Sequence, residues 1–165
     1  MIINYLFNSS PSSLFSMDIY FVDVQFYQHE KQHIIKEATL YPITTPENYQ
    51  HFVFKSPFLF ASFSSKDKKT NHFIYSVLGV LHWSAGIQSL SDFCHAIPPN
   101  SIILCNGQEK VQSLMKLLPH VSRIFNIFVS FNKIDCSILC NYPAQHKQCS
   151  YTNCLKMMEF FKCIQ

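Results

Sequence analysis

Three apolar, β-rich segments follow one another in the first third of this chain, with no helical pattern between them. Residues 18–26 (DIYFVDVQF), 33–41 (HIIKEATLY) and 49–55 (YQHFVFK) are each dense in aromatic and β-branched side chains. The first is apolar on both faces, as a strand with a neighbour on each side must be. Residues 28–32 (QHEKQ) make a short polar link, and Pro42 and Pro57 close the second and third segments. An antiparallel meander is the simplest arrangement for such a run.

Beyond it the period changes. Lys66, Asp67, Lys68 and Lys69 form a charged patch ahead of a predicted helix that runs to about Leu81. From Ser89 a second helix sets Leu90, Phe93, Cys94 and Ile97 on one face, and Pro98-Pro99 stop it. Residues 101–105 (SIILC) read as a short buried strand. Gly107 introduces a helix with Val111, Leu114, Met115 and Leu118 on one face, and residues 123–129 (RIFNIFV) read as a fifth strand. Ser150 suits the cap of a last helix that turns Cys154, Leu155, Met158 and Phe161 inward. The order β-β-β-α-β-α-β-α describes an α/β chain with a mixed sheet, the order found in ribonuclease H-like folds.

The 165 residues suit one domain, expected over residues 17–165 behind a flexible leader at residues 1–16. With 48% hydrophobic and 14% charged residues the chain is too apolar for disorder, and 16 Phe against 3 Gly imply a crowded aromatic interior. A net charge of +3 is too mild for a DNA binder driven by electrostatics. No run approaches the roughly 18 apolar residues of a membrane span, and no basic stretch precedes the first apolar one as in a secretory signal. The expectation is an intracellular protein, cytoplasmic or nuclear, whose seven cysteines are thiols or metal ligands rather than disulfides.

A ribonuclease H-like nuclease needs carboxylates converging on two divalent ions. Asp23, in Val22-Asp23-Val24-Gln25, stands where the first would be, but uncharged Gln25 takes the partner position. Glu109 is the acid nearest the middle of the fold, and the last helix offers Asn153, Cys154 and Glu159 but no aspartate. Asp23 and Glu109 are thus candidate catalytic residues of an incomplete set, and two-metal chemistry is not expected. Asp23 equally suits a polar position at the end of a strand. No nucleophile elbow, P-loop or dinucleotide fingerprint occurs.

Five of the seven cysteines lie in the last 30 residues. Cys140-x5-His146-x2-Cys149 brings together thiols and an imidazole, the ligand types zinc takes in a tetrahedral shell. A fourth ligand must come from elsewhere, and Cys136 competes with Cys140 for one place. Cys154 and Cys163 read as core cysteines on the last helix's apolar stripe.

Strand order and cysteine/histidine run together resemble the Maelstrom domain, a ribonuclease H-like, exonuclease-derived family that lost its acidic site and carries a Glu-Cys-His-Cys zinc set. The corresponding residues are Glu37, in Ile35-Lys36-Glu37-Ala38, then Cys140, His146 and Cys149-Ser150. Residues 48–54 with Lys55-Ser56-Pro57 resemble that family's F-H…I-x-P-G segment. The V-D-V-Q strand with its K-E-A partner is also similar to a set of uncharacterised animal proteins. Five residues separate Cys140 from His146, where the family has two. By alternation with Ile35 and Thr39, Glu37 equally suits a solvent-facing position.

The resemblance implies a catalytically degenerate domain, stabilised by structural zinc, that binds nucleic acid, RNA more than DNA. Lys66, Lys68 and Lys69 are candidate contacts, although such a run equally describes a solvated loop. One alternative is a single-strand ribonuclease. Another is a non-catalytic scaffold that engages a protein partner through apolar surface.

Overall fold

The computed structural model describes residues 18–129 and 149–163, so the expected leader falls outside it. β1 (Ile19–His29) and β2 (Gln32–Pro42) form a long antiparallel hairpin. Its two-residue turn, Glu30-Lys31, has positive φ at both positions (46° and 66°), the handedness that matches the twist of paired strands. β3 (Gln50–Val53) pairs antiparallel with β2, giving the meander expected from the sequence. β4 (Ile102–Cys105) and β5 (Arg123–Asn126) then add in parallel on the other side of β1. The result is a mixed α/β fold with a five-stranded sheet of order β3-β2-β1-β4-β5.

Four helices complete the described residues: α1 (Ser65–Phe73), α2 (Leu90–His95), α3 (Gln108–Leu117) and α4 (Ser150–Lys162). Alternation along β1 divides the core. Val22 and Val24, with Ala38, Leu40, Phe52 and Phe54, face α2 and α3 and meet Phe93, Ile97, Val111, Leu114 and Leu118. Phe21, Tyr41, Ile102 and Leu104 face α4 and meet Cys154, Leu155, Met157, Met158 and Phe161. Each such apolar side chain contributes about 1.5–3 kcal/mol when fully buried, so α4 is held mainly by packing. A third cluster of Tyr27, Phe63, Val80 and Trp83 covers the far end of the hairpin.

Two sequence expectations change. The charged run does not precede a helix; it lies within one, with Lys66 and Lys69 exposed, and that helix ends at Phe73 and passes through one π-turn, Ile74–Leu78, to Gly79. Met115 is exposed, leaving Val111, Leu114 and Leu118 as the inward stripe.

β1 and β2 slip register after Gln25, which pairs with Glu37, whereas Phe26 pairs with Ile35. Lys36 is the extra residue of this β-bulge and is buried. Its ammonium donates to the carbonyls of Phe54 (2.9 Å), Trp83 (2.8 Å) and Ala85, tying the loop after α1 to the sheet. Gly86 (φ +89°) lets that loop close, since a Cβ there would stand 2.5 Å from the Val53 carbonyl oxygen.

Candidate metal centre

Glu37 lies on the α4 side of β2 and is fully buried. Phe52 on β3 and Phe54 just past its end point to the α2/α3 core, which by the two-residue period turns His51 to the α4 side. The register sets Thr39 opposite His51 and Val53 opposite Glu37, so His51 and Glu37 are diagonal neighbours. Cys149 is the buried N-cap residue of α4 and makes no side-chain cap of its own.

These three side chains offer a carboxylate oxygen, an imidazole nitrogen and a thiol sulfur, all within 4.8 Å of one another, a group that could hold a metal ion. Glu37 Oε1 accepts from the Ser150 backbone N–H (2.6 Å) and from the Ser150 hydroxyl (2.8 Å), and it lies 3.0 Å from His51 Nε2. The carboxylate therefore caps α4 from the neighbouring sheet, where the helix dipole favours negative charge. Thr39 Oγ1 and Ser150 Oγ share a further 2.7 Å hydrogen bond beneath it.

A second polar centre lies on the same sheet face. Asp23 is fully buried, where β1 runs on past the end of its pairing with β4. Lys110, in the first turn of α3, reaches it with Nζ 2.6 Å from Oδ1. Asn153 Nδ2 (2.9 Å) and Gln25 Nε2 (2.6 Å) donate to Oδ2. Burial raises the Asp23 carboxyl above its ordinary value, and the Lys110 charge, Asn153 and Gln25 oppose that rise. Burial pulls the Lys110 ammonium the other way, but the adjacent carboxylate outweighs it, and its pKa is raised. The 2.6 Å contact seats the Lys110 amine on the buried carboxyl as a close pair. Burial also raises the Cys94, Cys105 and Cys154 thiols, the state of inert core cysteines rather than nucleophiles.

Of the residues singled out from sequence, Glu37 and Cys149 come together. Glu37 is buried, which corrects the solvent-facing alternative. Cys136, Cys140 and His146 lie outside the described residues. Asp23 is not joined by Glu109, which is exposed and lines a groove beside α3; its neighbour Lys110 takes that place. Lys66 and Lys69 are exposed on α1, while Lys68 donates to the Ala61 carbonyl at 2.7 Å. Sequence reasoning missed His51, whose place beside Glu37 follows from the β2–β3 register. It also missed Lys110, because only acids were sought around Asp23.

Compared with known proteins, the chain matches no family model and no curated protein. Among the described residues, no helix is long and apolar enough to cross a membrane.

Proposed function

We propose that this chain is a catalytically degenerate, exonuclease-derived domain of the Maelstrom kind, stabilised by zinc and binding single-stranded nucleic acid, RNA more than DNA. The observation that carries the reading is the convergence of Glu37, His51 and Cys149 at the N-terminus of α4. The sheet order β3-β2-β1-β4-β5, with its antiparallel and parallel halves, supports the ribonuclease H-like assignment. An O, N and S donor set suits zinc better than magnesium or calcium, which take oxygen ligands. The zinc would pin β2 and β3 to α4, with a fourth ligand from Cys136, Cys140 or His146 in the segment that leads into Cys149.

The Asp23 centre supports the loss of catalysis. Two-metal phosphodiester chemistry needs carboxylates around an open cation site, and here an ammonium is seated on Asp23, which no second carboxylate joins among the described residues. The scaffold reading draws on exposed Phe73, Tyr75, Val77 and Leu78, an apolar surface around the π-turn.

Elemental mass spectrometry of the purified chain tests the metal. One zinc per chain, lost in Cys149→Ser and His51→Ala, is expected; a metal-free protein purified without chelator would remove the zinc reading. Incubation of single-stranded RNA with the chain and magnesium tests the rest. Binding without turnover is expected, whereas cleavage abolished by Asp23→Ala would make it a nuclease.

A further inference from the structure

Deepening the nucleic-acid reading, on which this inference rests, we propose that the strand binds in a basic groove between the β1–β2 turn and α3, not along the lysines of α1. The groove has a volume of about 670 Å³ and is open to solvent. Lys31 enters it from the hairpin turn, Lys55 from the loop after β3 and Lys116 from α3, and all three are exposed. Glu109 is the single acid on its wall, so the groove carries a net positive field. Among the described residues, no ion pair or side-chain hydrogen bond engages these three ammonium groups. Lys36, Lys68, Lys110 and Lys162, by contrast, are each tied to an oxygen of the protein.

Between the lysines the groove has an apolar floor that includes half-buried Ile35, Leu90 and Leu117. His33 forms part of its wall, with its ring stacked on Phe26 (centroids 3.9 Å apart) and Nδ1 3.0 Å from Ser113 Oγ. That combination selects among polyanions. A duplex hides its bases and presents sugar and phosphate, leaving an apolar floor without a partner; an unpaired strand presents both phosphates and base faces. A single phosphorylated side chain is gripped by clustered arginines whose planar forks chelate one phosphate. Here the cations are lysines from three separate elements, point charges disposed to follow a chain of phosphates.

The test is fluorescence anisotropy of a labelled oligouridylate of about 12 nucleotides, within the range of single-strand site sizes, titrated with the full chain over about 50 to 200 mM salt. The K31A/K55A/K116A variant is compared with K66A/K68A/K69A, with thermal melting confirming that each is folded. The groove variant is expected to bind at least about tenfold more weakly, and its salt slope to be shallower by about two, near 0.7 per phosphate contact. The α1 variant is expected to bind as the wild type does. Wild-type affinity and slope in the groove variant overturn the groove while leaving nucleic-acid binding intact. No binding by the wild-type chain at the lowest salt overturns both readings together. Equal affinity for a duplex of the same length overturns the single-strand assignment. Should the triple variant melt early, charge reversal at exposed Lys55 alone (Lys55→Glu) replaces it, and unchanged binding there counts against the groove.

Discussion

Asp23 and Glu37 are buried carboxylates on adjacent strands, on one face of the sheet and beneath one helix, yet they are satisfied in different ways. Asp23 has a cation from its own chain, with the Lys110 ammonium at 2.6 Å and two amides completing its shell. Glu37 has the N-terminal N–H of α4, a hydroxyl and an imidazole, with a thiol near enough to share an ion. The first centre is closed by a charge that cannot leave. The second gathers neutral or titratable donors that a metal would organise. A carboxylate in the interior requires compensation in either case: the Lys110 ammonium contributes it at Asp23, and the α4 N–H, the Ser150 hydroxyl and the His51 imidazole contribute it at Glu37. The difference separates a carboxylate paired with an ammonium from one whose neighbouring donors could also hold a metal ion.

The largest expected effect comes from removing the proposed metal ion. Treatment with a strong chelator should destabilise the chain by about 4 kcal/mol, the linkage free energy of a site held near 1,000 times its Kd. The loss should appear as a fall in melting temperature and in the urea midpoint. Cys149→Ser should melt where the chelated wild type does and be indifferent to chelator. A melting temperature unmoved by chelator would make Glu37 a helix cap only, and the contrast with Asp23 would become one of hydrogen-bond type.

Next in size is the internal pair. Lys110→Met leaves Asp23 buried without its cation and should cost about 3 kcal/mol by urea denaturation, since breaking one side of a buried pair strands the other. The double variant Asp23→Asn, Lys110→Met should recover most of that loss. A cost below about 1 kcal/mol for Lys110→Met would show solvent reaching Asp23 readily, and the centre would no longer count as closed.

How much of this was legible from sequence depends on which signal each element carries. β1 and β4 stand out because their side chains are buried on both faces and are mostly apolar, whereas β2 buries Lys36, Glu37 and Thr39 and is legible mainly from its β-branched and aromatic residues. Helix α1 was misplaced for a physical reason: its buried residues are Asp67 and Asn71, a polar i, i+4 pair invisible to a search for apolar period. Asn71 turns its amide to the backbone of Gln28, accepting at 2.8 Å and donating at 2.7 Å along the part of β1 that β4 does not reach. Met115 was misjudged because α3 buries a narrower stripe than its apolar residues would fill. At the site, Cys149 is legible from the cysteine/histidine spacing and Glu37 only through resemblance, whereas placing His51 beside them requires the β2–β3 register, which no local pattern encodes. Lys110 sits 87 residues from Asp23, beyond any spacing rule.

Lys36 sharpens the comparison from the opposite side, as a buried cation satisfied by neutral oxygens. Its ammonium meets the carbonyls of Phe54, Trp83 and Ala85 and the Ser56 hydroxyl, and the Trp83 ring centroid lies 5.9 Å away. Burial pushes its pKa down to about 8. A lysine in the unfolded chain titrates near 10.4. Between those values the unfolded chain holds a proton that the native state has released, so stability contributed through Lys36 rises with pH across that window. Below about pH 8 both states are protonated, and this residue adds no pH dependence. In the Lys36→Met variant the window should vanish while every other titration is shared. The stability of wild type relative to Lys36→Met should therefore grow from about pH 8 to pH 10, a smaller effect than either loss above and measurable by paired urea titrations. A gap constant across that range would mean that the carbonyl cage holds the ammonium charged at its ordinary strength. The fold would then keep an unpaired cation inside by hydrogen bonding alone, something it does not do for the anion at Asp23.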